Sequence, residues 1–114
     1  MSKLAISAAL FLTGQTLIWF QTNGQFLWPW FKRNPIILSL FGGSIISYAF
    51  IIATRYAVEH FDGQLWPGRF LGFSLGMISY CLLTWYFMGE GINTKTATSL
   101  ILATGIICVQ IFWK

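Results

Sequence analysis

The sequence predicts an all-α integral membrane protein built as a bundle of four transmembrane helices, and three observations carry that prediction. The chain of 114 residues is 56% apolar and only 9% charged, whereas soluble domains carry about a quarter of their residues as charges. Four long apolar stretches, at about residues 4–21, 35–54, 68–88 and 96–113, are separated by short polar segments. Each is close to the length that crosses roughly 30 Å of hydrocarbon at about 1.5 Å per residue. Aromatic residues make up 18% of the chain, and its Trp and Tyr gather largely near the ends of these stretches, where amphipathic rings sit at headgroup depth. The four spans use residues 1–114 as a single transmembrane domain and leave no room for a separate soluble one.

The net charge of +4 comes from seven Lys and Arg placed mostly at span ends, with no basic run longer than Lys32-Arg33. Such a distribution fits membrane lipids as partners, through their phosphates, and not nucleic acid.

Span one, about residues 4–21, is the least apolar, because Thr13, Gly14, Gln15 and Thr16 interrupt it near its centre. It is read as a span and not a cleaved signal, since no A-x-A site follows the apolar run Leu4 to Leu12. An uncharged polar side chain at bilayer depth needs a partner, so Gln15 is expected to face inward. Thr13 and Thr16 can bond back to their own helix. Ser7, two turns before Gly14, extends a small face. Gln21 to Gln25 reads as a turn. The segment Phe26 to Arg33, FLWPWFKR, joins an aromatic belt, a helix-stopping Pro and two cations, which places it in the interface.

Span two starts at Asn34-Pro35, with Asn34 as the cap and Pro35 at the first helical position. Ser39, Gly43 and Ser47 recur every four residues and form a small stripe expected to pack against span three. The polar stretch Arg55 to Pro67 follows, in which Arg55 and Glu59 are spaced to pair on a continuing helix and Asp62-Gly63 signals a turn. His60 invites a proton-shuttle role, but it lies in a loop without an intramembrane acid beside it.

Span three carries a packing code. No residue from Phe70 to Gly89 is charged. On a helix Gly68, Gly72, Gly76 and Ser79 share a strip about 80° wide, while Phe70, Phe73, Met77 and Tyr80 lie on the far side. Small strips let backbones approach closely in lipid, so this one is expected to be buried against another helix. Gly89 to Lys95 is a short loop with Asn93 or Thr94 as the cap of span four, which runs uncharged from Thr96 to Trp113. Lys114 closes it at the interface. Cys81 and Cys108 lie inside spans and read as small buried hydrophobes, with a disulfide between neighbouring helices left open.

Four spans put both termini and the 55–69 loop on one side with Lys3, Arg55, Arg69 and Lys114, against Lys32, Arg33 and Lys95 on the other. That small excess favours cytoplasmic termini and leaves insertion in both orientations open.

The segment Thr84 to Ile106, TWYFMGEGINTKTATSLILATGI, resembles the aromatic span end, Gly-Glu turn and last helix of the small multidrug resistance proteins, four-helix members of the drug/metabolite transporter superfamily. Gly14 to Gly24, followed by Leu27-Trp28-Pro29, is similar to the end of their first helix and the loop after it. The resemblance implies a homo-oligomer, often an antiparallel dimer, in the cell inner membrane. It also implies transport of a small metabolite, lipid-linked compound or organic cation through a site between the first helices. The same alignment puts Phe11 where the multidrug members carry a membrane-buried Glu that binds proton and cation in competition. Gln15, one turn later, is the nearest polar residue and does not titrate, which argues against proton-coupled cation export by that route.

Two functional expectations follow. The first is a transporter that alternates around a midplane site, with Gln15, Ser39, Gly43, Ser47, Tyr80 and Trp85 lining its pathway. The second is an accessory subunit that docks onto a larger membrane complex through glycine stripes and aromatic belts. No set of residues implies a cofactor or a metal, and Glu59, His60 and Asp62 lack the opposed partners that catalysis requires, so an enzyme is not expected.

Overall fold

Ser2 starts the first helix by accepting a hydrogen bond from the Ala5 N–H at 3.2 Å. The computed structural model describes residues 2–113, so the position assigned to Lys114 lies outside it. Helix α1 (Lys3–Asn23) passes into a 3-10 turn at Gly24–Phe26. Gly24 is required there, because a Cβ at this position would lie 2.5 Å from the Phe31 ring. A short helix α2 (Pro29–Arg33) carries the interfacial segment.

Helix α3 (Pro35–His60) begins at the expected proline but includes a π turn at Leu38–Gly42. Asn34 does not cap it through its side chain; its Nδ2 donates to the Trp30 carbonyl at 2.8 Å instead. Asp62 and Gly63, with φ of 57° and 88°, make the predicted turn. Helix α4 (Trp66–Met88) ends at Gly89, whose φ of 70° is the left-handed geometry glycine adopts without a Cβ penalty. Helix α5 (Thr94–Phe112) is capped by Asn93, which accepts from the Thr96 N–H at 2.8 Å. The four long helices, α1 with its 3-10 extension, α3, α4 and α5, are long and apolar enough to cross a membrane. The fold is a four-helix bundle of an integral membrane protein.

The arrangement of those helices differs from the expected pairing of spans two and three. Helix α1 lies between α3 and α4, which touch each other only slightly, while α5 stands outside and packs on α4. Gly68, Gly72 and Ser79 of the α4 strip are buried and Gly76 is partly so, with α1 and α3 receiving the strip together. A Cβ on Gly72 would stand 3.0 Å from the Phe11 ring, one on Gly76 2.5 Å from the Gln15 amide, and one on Gly68 3.0 Å from Ala57 Cβ. Phe11, Ala53, Ala57 and Leu71 form the core at this junction. The stripe on α3 is a correction: Ser39 and Ser47 are exposed, and α3 buries Ile46, Ala49, Ala53 and Ala57 instead. Serine is not needed on the contact face, because alanine already allows close approach and brings no polar group to satisfy.

Among the described residues, every side-chain hydrogen bond between long helices is donated by α1. Ser7 Oγ reaches the Ala53 carbonyl at 2.8 Å, and Gln15 Nε2 the Gly72 carbonyl at 3.1 Å. Trp19 Nε1 reaches Thr84 Oγ1 at 2.9 Å, and Gln21 Nε2 the Leu38 carbonyl at 2.9 Å. The ion pair follows the same pattern, since Glu59 meets Lys3 at 3.4 Å and not Arg55. Each interhelical bond of this kind is worth about 0.6 kcal/mol on average in a membrane protein, so their joint effect is to set register as much as to add stability.

Gly72→Leu should lower stability by about 1–3 kcal/mol, the usual cost of overpacking a tight contact, as read from the thermal unfolding midpoint in detergent. Gly105→Leu is the control, because nothing lies within 4 Å of its Cβ position. Equal midpoints for the two variants would contradict the buried strip.

Candidate functional site

Because α1 fills the space between α3 and α4 unevenly, a groove is left along α4. Its volume is about 640 Å³, and it opens near the 55–69 loop, lined by Phe11, Gln15, Phe50, Thr54, Arg69, Phe73, Met77 and Tyr80 among others. Small residues form its floor: Gly68, Gly72 and Gly76 all border it. A second cavity of about 270 Å³ opens at the other end of the bundle between α4 and α5, beside Glu90, Lys95 and Ser99. The two cavities share Met77 and Tyr80. At about 1.5 Å per residue, Tyr80 lies roughly 16 Å along the chain from Arg69 and about 15 Å from Glu90, near the bilayer midplane.

The pathway residues read from the sequence divide in two. Gln15 and Tyr80 come together in the larger groove. Gln15 faces inward as expected; its amide covers the Gly76 notch while its Nε2 donates to the Gly72 carbonyl. Tyr80, on the bulky side of α4 and 49% exposed, reaches both cavities because α1 and α5 flank that side without covering it. Ser39, Gly43, Ser47 and Trp85 line neither cavity. Gly43 sits with Gly42 beneath Gln21, where a Cβ on Gly42 would be 3.3 Å from the amide nitrogen. The π turn is the reason for this contact: it leaves the Leu38 carbonyl shared between the Gly43 N–H and Gln21.

Met77, Arg69 and Phe73 escaped the sequence reading as pathway residues. The signal was present in the bulky face of span three, but only the packing of α1 decides that this face borders a groove. Cys81 lines the smaller cavity, Cys108 is exposed, and both thiols are free. At the end of the bundle bearing α2, rings pack in series: Trp19 with Phe20 and Phe87, and Phe20 with Trp28 at 6.2 Å. His60 packs edge-on against Phe61 at 4.8 Å, away from both cavities. Among the described residues no three His, Cys, Asp or Glu side chains converge. No family model, curated protein or solved structure matches the chain.

Ser74 is fully buried, and its hydroxyl has no hydrogen-bond partner among the described residues. Removing an unsatisfied buried hydroxyl recovers its desolvation cost, so Ser74→Ala should stabilise the fold by about 1 kcal/mol. Ser7→Ala, which deletes a satisfied hydroxyl, should destabilise it. A drop in unfolding midpoint for Ser74→Ala as large as that for Ser7→Ala would show that Ser74 has a partner.

Proposed function

We propose that this chain is a small membrane transporter that moves a small metabolite, lipid-linked compound or organic cation along the bulky face of α4, with Met77 and Tyr80 as the neck between two vestibules. The observation that carries the reading is that cavities opening at opposite ends of the bundle meet at the same two side chains. Alternating access needs a midplane site reached from either side in turn, and a flexible thioether beside an aromatic ring suits a neck that must reshape. Phe11 occupies the Gly72 notch, and the larger groove holds no carboxylate, while Glu90 and Lys95 line the smaller cavity; the mechanism is facilitated movement without a titrating carboxylate in the larger groove. The resemblance of Thr84–Ile106 to the small multidrug resistance proteins supports the same class.

The working unit is a homo-oligomer, with the open face of α5 as its contact. Helix α5 buries only Ala103 and leaves Ile101, Leu102, Val109 and Phe112 exposed. The cell inner membrane with cytoplasmic termini is the favoured setting, on the small cation excess of that side. The same open face also supports the alternative, an accessory subunit docked onto a larger complex.

Reconstitution of the purified protein with a panel of solutes tests the transport reading. Tyr80→Ala should change flux several-fold, the size expected from losing an aromatic contact of about 1 kcal/mol, while Tyr86→Ala, exposed and outside both cavities, should not. Absence of flux for every solute, together with stable co-purification of unrelated subunits, would move the assignment to the accessory role.

A further inference from the structure

We infer that the larger groove takes an amphipathic anion drawn from the membrane, a single-chain lipid-like molecule with a phosphate head, and not an organic cation. The inference rests on the reading of this groove as one half of a solute pathway, and it names the class of solute. Arg69 is the one charged residue lining the groove, and no acid lines it. Among the described residues the ion pair is Lys3 with Glu59, so Arg69 is not neutralised by a carboxylate. A cation entering here would meet a like charge at the mouth and no counter-ion inside, whereas a phosphate would meet a guanidinium whose fork suits its oxygens.

The rest of the groove matches a tail. Beyond Arg69 the lining is Phe11, Phe50, Phe73 and Met77 over a glycine floor, with Gln15, Thr54 and Tyr80 as its uncharged polar groups, a mostly apolar surface that an alkyl chain covers. The length agrees as well. From Arg69 to Tyr80 the groove runs for roughly 16 Å along the helix, about one leaflet of a hydrocarbon core near 30 Å thick. A head held at Arg69 therefore leaves its tail end at the Met77–Tyr80 neck.

Equilibrium binding to the purified protein in uncharged maltoside micelles tests this without requiring flux. Dodecyl phosphate should bind saturably, and dodecyltrimethylammonium should not. Inorganic phosphate and butyl phosphate should bind at least about tenfold more weakly, since they lack the tail contacts. Arg69→Gln should weaken dodecyl phosphate binding by about tenfold or more, the weight of one charge-assisted hydrogen bond, with Arg69→Lys keeping most of it. Thr54→Trp, which fills the groove while leaving Arg69 in place, should also abolish binding, and an unchanged unfolding midpoint establishes that each variant is folded. Equal binding of the ammonium amphiphile, binding of inorganic phosphate as tight as that of dodecyl phosphate, or an Arg69→Gln affinity within about twofold of the parent would overturn the assignment. Saturable phosphate binding without flux in vesicles would uphold this solute class and remove transport; flux of the ammonium amphiphile would uphold transport and remove the class.

Discussion

Helix α1 holds this bundle together because lipid supplies no hydrophobic force to press one apolar helix against another. What remains is close dispersion contact and hydrogen bonding, and α1 provides both. Phe11 fits over Gly72 and Gln15 over Gly76 on one flank, while Gly14 accepts the Phe50 ring on the other. Its four interhelical donors divide evenly between neighbours: Ser7 and Gln21, toward its two ends, reach α3, and Gln15 and Trp19, between them, reach α4. Spacing the donors along the whole span fixes the rotation of α1 as well as its depth. A helix tied at one level could still pivot; one tied at both ends cannot.

The cavities follow from that constraint. With α1 wedged against the small faces of α3 and α4, the bulky face of α4 is left without a helix to cover it, and α5, whose Ile107 reaches the core around Leu71, leaves it open as well. Phe73 and Tyr80 stay about half exposed for that reason. Glycine has a double part here, since the same row that admits Phe11 and Gln15 also forms the floor of the larger groove. The interhelical contact and the proposed pathway thus share residues, so packing changes along this row act on both.

Much of the architecture was legible one helix at a time. Hydropathy and length place all four spans, Asp62-Gly63 and Asn93 mark their boundaries, and the spacing of Gly68, Gly72 and Gly76 identifies a face that must be buried. Relations between helices were less legible. Small residues say that a partner comes close but not which partner, so α4 could be assigned to span two when α1 takes most of the contact. Ser39 and Ser47 satisfied the same spacing rule yet point outward, because a serine that bonds its own helix, as Ser39 does to the Pro35 carbonyl at 2.7 Å, carries no demand for burial. Trp19 is the reverse case. Its place at a span end reads as a lipid-interface anchor, but it is almost fully buried because Thr84 offers its indole N–H a partner. Glu59 likewise reads as a helical pair with Arg55, and pairs with Lys3 because α1 brings that cation alongside.

The central position of α1 is tested most directly by disulfide crosslinking in native membranes, with Cys81 and Cys108 replaced by Ala. The Ser7→Cys/Ala53→Cys pair spans the α1–α3 contact and should crosslink nearly completely under mild oxidation. The Ser47→Cys/Ser79→Cys pair lies level on the small faces of the second and third spans, since Gly68 stands level with Ala57, and it should not crosslink. Efficient crosslinking of the second pair with failure of the first would mean that α1 does not stand between its neighbours, and would contradict the account.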